Sequence, residues 1–569
     1  MTSRRVELRE GEPGDREWIY RLRHRVFGAE LGQHETNAAG ELSDAMDELG
    51  VVYLVALRGG RPAGFVSVTP PWLGRLSLEK YVTRAEVPAL DAHDTFEVRI
   101  LTVAPEERGT PVAALLIYAA LRWVESRGAR RVVGIGRAGL TSMYRSIGLL
   151  PTGRTVRSGR VDFEVMSGDH RTMPARVRDR FLRQIGALDL DWRLDLPLVR
   201  EQDGCEHGGA SFTAIGTDLS ALDRRGAVVA ADVLDAWFDP APGVLDALTA
   251  DAAWLARTSP PVASDGVRQA IAADRGVRAE TVSLGAGSSD LIFRAFREWL
   301  RPASRVLLIE PSYGEYEHVA AQVAGARVDR FAVRYQEHWE IDVDRLIARA
   351  GDAYDLVVLV NPNNPTGRHL PLADVRRIAA ALPSRTRLWI DEAYIGYAGP
   401  HESAAPLTSE FPNVAVCTSM SKMYALSGAR AAYLITDVET AAALRRWTPP
   451  WVLGMPAQAA AIHALADPDY YARRWQETHR LRSGLAAALR ELPGIGAVDE
   501  AVANYLLVTL PAGGPSAARV VAHCRRHDVY LRDLSPMSAL FEGRTVRIAV
   551  RGADENARIV LALEKALTQ

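Results

Sequence analysis

The chain has 569 residues but only three lysines, Lys80, Lys422 and Lys565. Arginine carries nearly all the remaining basic charge, so chemistry that needs a nucleophilic amine has three candidate positions. Lys422 is distinguished by its surroundings, Ser419-Met420-Ser421-Lys422 and then Leu426-Ser427-Gly428-Ala429-Arg430. A lysine amine condenses with carbonyl compounds, and hydroxyls beside an arginine fork suit a phosphate. Other clusters supply complementary groups. Gly285-Ala286-Gly287-Ser288-Ser289-Asp290 reads as a turn opening a helix, where N–H groups and hydroxyls gather at an anion-ready terminus. Pro311-Ser312-Tyr313-Gly314 offers an aromatic face, Asn361 to Gly367 the amide of Asn364, and Asp391-Glu392-Ala393-Tyr394 a carboxylate and a phenol. The set matches the needs of a phosphorylated aldehyde with a ring nitrogen. Lys422 supplies the amine and Asp391 holds the ring-nitrogen proton. Tyr394 and Asn364 reach a ring hydroxylate, Tyr313 stacks, and Ser288, Ser289, Ser419, Ser421 and Arg430 form a phosphate cup. Singly these are a helix cap, a turn and a strand end; their joint order around a rare lysine gives the reading its weight.

Such residues need a scaffold, and four apolar runs provide one. Arg305–Ile309, Asp355–Val360, Arg387–Ile390 and Val414–Thr418 each lead straight into a polar cluster. Continuous apolar runs of this length suit strands buried on both faces of a mostly parallel sheet, and ligands of such sheets bind beyond the strands' carboxyl ends. The chain divides by texture into residues 1–165, an arginine-rich stretch 166–225 read as a linker with helical pieces, and residues 226–569. In the first part Val51–Leu57 and Ala63–Val68 flank Gly59-Gly60 as a hairpin. Phe96–Val103 and Val132–Gly136 read as strands, with an amphipathic helix around Val112–Ser126.

Bulk properties narrow the function classes. Hydrophobic residues at 48% and charged residues at 24% allow large cores, and a net charge of -2 gives no pull toward nucleic acid or anionic membrane. The start Met1-Thr2-Ser3-Arg4-Arg5 lacks the apolar stretch of a signal peptide, and no apolar run spans a bilayer. Cys205, Cys417 and Cys524 form neither a disulfide framework nor a metal cluster. A cytoplasmic protein without metal is expected.

From about residue 230 to 565 the sequence resembles the fold-type-I aminotransferases that depend on pyridoxal 5'-phosphate (PLP), in the branch of histidinol-phosphate aminotransferase and threonine-phosphate decarboxylase. Gly287-Ser288-Ser289-Asp290, Pro311 to Gly314, Asn364-Pro365-Thr366-Gly367, Asp391 to Tyr394, Ser421-Lys422 through Arg430, and Val546-Arg547-Ile548-Ala549-Val550 carry the resemblance. It implies an α/β fold with large and small subdomains, a Schiff base on Lys422, catalytic roles for Lys422, Asp391 and Tyr394, and a homodimer sharing its sites. It also implies that Arg547 binds the substrate α-carboxylate and Arg532 its distal end. Asp235-Ala236-Trp237-Phe238-Asp239-Pro240 departs from the family's Asn-Pro segment, and Arg257 to Val262 lacks the family's tyrosine. Trp237 is therefore expected on the substrate side, unless the segment re-routes and its aromatics are core.

Residues 5–165 resemble GNAT-type acyltransferases, a mixed-sheet fold. Phe96 to Gly109 matches the central strand and turn, Met143 to Leu149 the motif whose tyrosine, here Tyr144, acts as general acid, and Tyr20 to Phe27 the N-acyl amino acid synthase branch. Acyl-CoA is the donor this implies, although Pro111 in Arg108-Gly109-Thr110-Pro111-Val112 deletes an N–H from the pyrophosphate loop. The expectation for the whole is a PLP-dependent enzyme of specialised metabolism acting on an amino acid as a small-molecule substrate, foremost by transamination. Decarboxylation, elimination or replacement, or carbon–carbon bond formation on an S-adenosylmethionine-like substrate is the alternative reading. A non-catalytic regulatory module is the third, with neither a helix-turn-helix nor a basic face to support it.

Overall fold

A computed structural model describes residues 5–169, 175–199, 207–351 and 354–568, so Cys205 lies outside the described residues. The chain forms two compact units, residues 1–201 with 535–543, and residues 202–534 with 544–569.

The first unit is built on an eight-stranded mixed sheet of β1 (Val6–Glu10), β2 (Val52–Arg58), β3 (Arg61–Thr69), β4 (Thr95–Val103), β5 (Arg131–Arg137), β6 (Leu150–Ser158), β7 (Val161–Asp169) and β8 (Leu190–Trp192), in the order β6-β7-β5-β4-β3-β2-β1-β8. The expected hairpin is β2–β3, paired antiparallel. β4 and β5 run parallel and pair only from Thr95–Arg131 to Glu97–Val133. The helix Val112–Glu125 buries Leu115, Leu116, Ala119 and Trp123 against the sheet. Part of the stretch 166–225 is not a linker. β7 reaches Asp169, the helix Ala175–Ile185 buries Val177, Phe181 and Ile185 in the same core, and β8 pairs with β1. The four-residue spacing of those three apolar positions marks one helical face; interleaved arginines hide it in the sequence.

In the second unit β9 (Val229–Ala230) precedes a seven-stranded sheet. Its strands are β10 (Val282–Ala286), β11 (Arg305–Glu310), β12 (Arg327–Ala332), β13 (Leu356–Val360), β14 (Arg387–Asp391), β15 (Val414–Ser419) and β16 (Ala431–Ile435), ordered β10-β16-β15-β14-β13-β11-β12. All neighbours are parallel except those of β16, which runs antiparallel to both β10 and β15. The four apolar runs are β11, β13, β14 and β15. Every residue of β13 and β15 is buried, the signature of helices on both faces. A smaller sheet follows, β17 (Ala497–Glu500), β18 (Tyr505–Thr509), β20 (Arg532–Asp533) and β21 (Thr545–Ala549), ordered β17-β18-β21-β20, while β19 (Val529–Tyr530) pairs with β9. The expected mostly parallel large sheet with a small subdomain is therefore the architecture of this unit.

Candidate active site

The polar clusters sit where β11, β13, β14 and β15 end. Ser419 closes β15 and caps the short helix Met420–Met423, its Oγ accepting from the Ser421 N–H at 3.3 Å. Lys422 lies in that turn. Its Nζ donates to Asp235 Oδ1 at 2.9 Å, and Ser427 Oγ donates to the same oxygen at 2.6 Å. Burial pushes the Asp235 carboxyl up, but the Lys422 charge and both hydrogen bonds outweigh it and hold the group below the usual range.

Asp391 ends β14 and is buried. Tyr316 Oη donates to its Oδ2 at 2.6 Å, Trp389 Nε1 donates to Tyr316 Oη at 2.9 Å, and the Ala393 N–H donates to Oδ1 at 2.9 Å. With no cation paired to it among the described residues, burial pushes its carboxyl up to about 6. Tyr394 is buried with its ring edge-on to Tyr505 at 5.5 Å, and burial raises its phenol well above the ordinary value.

Arg547 lies in β21 and is buried. It donates to Asn364 Oδ1 at 2.7 Å and to the Asp232 carbonyl at 3.1 Å. Its Nε has no partner, and no carboxylate within ion-pair distance is found among the described residues. Burial lowers its pKa accordingly. A buried guanidinium without a counter-ion favours an anionic ligand. Arg532, on β20, is the direct cross-strand neighbour of Arg547 and donates to the His207 carbonyl at 3.0 Å. Asp232 and Asp235, three residues apart, thus tie the Arg547 guanidinium and the Lys422 amine to one loop.

Ser288 and Ser289 open the helix Ser288–Trp299, capped by Gly287 at φ 86°. A Cβ on Gly287 would sit 2.1 Å from an Arg430 guanidinium nitrogen, so the helix N-terminus and the arginine meet around glycine. Arg430 also reaches Ser421 Oγ at 3.4 Å. Tyr313 and Ser289 both donate to the buried Glu315, at 2.6 and 2.9 Å, and His207 Nδ1 lies 3.4 Å from Tyr313 Oη. Trp237 turns to the long helix Pro468–Arg490, its Nε1 donating to Thr478 Oγ1 at 2.8 Å, with Arg474 over the ring, and Phe238 is core. Sequence reasoning did not single out Asp235, Ser427, Tyr316, Trp389 or Glu315 for the roles seen here. Tyr316 carried a signal, its three-residue spacing from Tyr313 at the start of a helical turn.

The first unit holds a second polar cluster. Arg23 donates to Asp47 Oδ2 at 2.9 Å, Asp44 Oδ2 at 3.2 Å and Tyr53 Oη at 3.1 Å, and Arg99 also pairs with Asp44. Burial raises the Asp44 carboxyl, but the arginines dominate and hold it at about 2. Pro111 is the N-cap of the helix Val112–Glu125, and the Tyr144 ring packs on Gly136.

Residues 234–563 match the family described as Aminotransferase class I and II, and residues 18–148 the Acetyltransferase (GNAT) family. Histidinol-phosphate aminotransferase of Chlorobium luteolum is 33% identical over 297 residues, 51% of this chain and 78% of that protein. The Stenotrophomonas maltophilia enzyme of that name is 32% identical over 334 residues, 58% of this chain and 87% of that one. Among solved structures, histidinol-phosphate aminotransferase from Sinorhizobium meliloti in complex with pyridoxal-5'-phosphate is 26% identical with a TM-score of 0.52, covering 59% of this chain and 89% of that one. L-threonine-O-3-phosphate decarboxylase from Porphyromonas gingivalis shares the fold, at 21% identity and a TM-score of 0.51 over 59% of this chain and 98% of that one.

Proposed function

This chain belongs to the class I and II aminotransferase family, and we propose that it moves the amino group of an amino acid onto a keto acid, with Lys422 carrying pyridoxal phosphate. The residues present fit that group: the glycine-walled cradle between Ser288, Ser289 and Arg430, the buried uncompensated carboxyl of Asp391, and the amine of Lys422. Pyridoxal phosphate supplies an aldehyde and a ring that draws off the electron pair left at the α-carbon. Asp391 holds the proton of the ring nitrogen. Asn364 and Tyr394 would hydrogen-bond the ring oxygen, and Tyr313 would stack on the ring. Ser288, Ser289, Ser419, Ser421 and Arg430 bind the phosphate. Arg547 takes the substrate α-carboxylate and Arg532 its distal end. Lys422 takes the α-proton and returns it.

The single observation that carries the reading is that one loop holds both Lys422 and Arg547, the latter buried with no counter-ion among the described residues. Incubation of the protein with a panel of amino acids, read by absorbance and product mass, tests it. Keto acids in step with conversion of the cofactor to its amine form are expected. Loss of carbon dioxide or of a side-chain leaving group, without keto acid, would replace transamination by the decarboxylating or eliminating alternative. The proposal extends to a homodimer in the cytosol. Its first unit is read as a GNAT-like acyl-transfer domain, which acyl-CoA binding to the full chain, measured by calorimetry, would test.

A further inference from the structure

We infer that Asp235 is a positioning residue for Lys422, holding its nitrogen in place and stabilising the positive charge that nitrogen carries. The inference rests on the PLP reading above and adds to it a residue on the substrate side. Asp235 Oδ1 takes Nζ of Lys422 at 2.9 Å and Oγ of Ser427 at 2.6 Å. The Asp235 side chain is 45% exposed and that of Lys422 24% exposed, so the pair faces open space and is not a closed structural bridge. Arg551 fixes the loop from behind, donating to the Asp235 carbonyl at 3.1 Å. Around the carboxylate stand Lys422, Arg551 and the phenol of Tyr394. Lys422 is the one ammonium among them, and its nitrogen meets the carboxylate directly.

The charge matters because the Lys422 nitrogen is cationic at two stages of the proposed reaction. It would be so while it holds the cofactor with a proton retained, and again after it accepts the α-proton, whose electron pair stays with the substrate. A carboxylate within hydrogen-bond reach favours the charged form at both stages. An amide at position 235 keeps the shape and loses that effect.

The test uses the full chain loaded with pyridoxal phosphate and titrates the visible band of the lysine-bound cofactor against pH. Asp235→Asn is expected to lower the midpoint by about one unit or more, as for loss of an opposite charge within hydrogen-bond distance, and Asp235→Glu to restore most of it. A midpoint unmoved in Asp235→Asn overturns the inference. A second measurement needs no cofactor: labelling of the stripped protein with an amine-reactive ester, with Lys80 and Lys565 as internal references. Labelling of Lys422 relative to these two should rise about threefold or more in Asp235→Asn, because an amine held by a carboxylate meets electrophiles more slowly. An unchanged ratio also overturns the inference. If no variant forms a visible band, the PLP reading fails and the labelling alone decides the pair.

Discussion

Asp391 and Arg547 are buried ionisable groups with no ion pair among the described residues, and each implies a measurable consequence. The folded-state pKa of Asp391 is raised from 3.8 to about 6. Its contribution to stability is therefore fully present below the unfolded value and lost as pH rises through about 6. A shift of this size corresponds to about 3 kcal/mol. In urea unfolding of the cofactor-free protein, wild type should gain up to that amount relative to Asp391→Asn as pH falls from above 6 to below 4. A pH-independent difference between the two would mean that the carboxyl is not burdened by its burial. Arg547→Ala removes the proposed anion receptor, so KM for the amino acid should rise ~10- to 100-fold with a smaller change in kcat, as for loss of a charged hydrogen-bonded contact. Steady-state kinetics with the preferred donor measures this, and an unchanged KM would shift the carboxylate to Arg532. The candidate residues themselves were legible because their chemistry is written in side-chain type. Asp235 was legible only as a departure from a familiar segment, since its contact with Lys422 joins positions 187 residues apart.

Secondary-structure elements turn these residues into a site by ending where they do. The helix Ser288–Trp299 begins at Gly287, whose φ of 86° and closeness to Arg430 admit no side chain. Gly287→Ala must push the arginine or the turn aside, and the extended positive-φ backbone, φ 86° and ψ 165°, which essentially only glycine adopts, adds about 1–3 kcal/mol of strain. PLP affinity, followed by fluorescence quenching, should fall at least ~10-fold, in line with that strain and a displaced phosphate ligand. Wild-type affinity in that variant would remove Arg430 and the helix terminus from the cup. The strands β11, β13, β14 and β15 were readable from continuous apolar runs, because burial on both faces leaves no polar alternation. The helix Ala175–Ile185 and β8 were not, because arginines crowd one and the other has only three residues.

At the scale of the whole molecule, the second unit leaves Leu245, Trp254, Val262 and Ile462 exposed. All four lie on the helices Pro242–Ala250, Ala252–Arg257 and Met455–Leu465 or just after the second of them. Large apolar side chains grouped on adjoining helices mark an association surface, and a closed two-fold pair is the commonest arrangement. Sedimentation at micromolar concentration should therefore give a dimer, and Trp254→Glu should shift it toward monomer. A wild-type monomer with full activity would overturn the dimer and the shared site it implies.

The sequence by itself determined the candidate lysine, the residues proposed to hold phosphate and ring beside it, the parallel strands that present them and the kinship of both units. These depend on residue type and short-range periodicity, which sequence records directly. Only the tertiary structure decided that Asp235 meets Lys422, that Tyr316 and Trp389 brace Asp391, that Trp237 turns to Thr478, and that Leu190–Trp192 completes the first unit's sheet. Each is a contact between distant positions, fixed by how loops close over packed elements; burial and charge pairing in three dimensions select it.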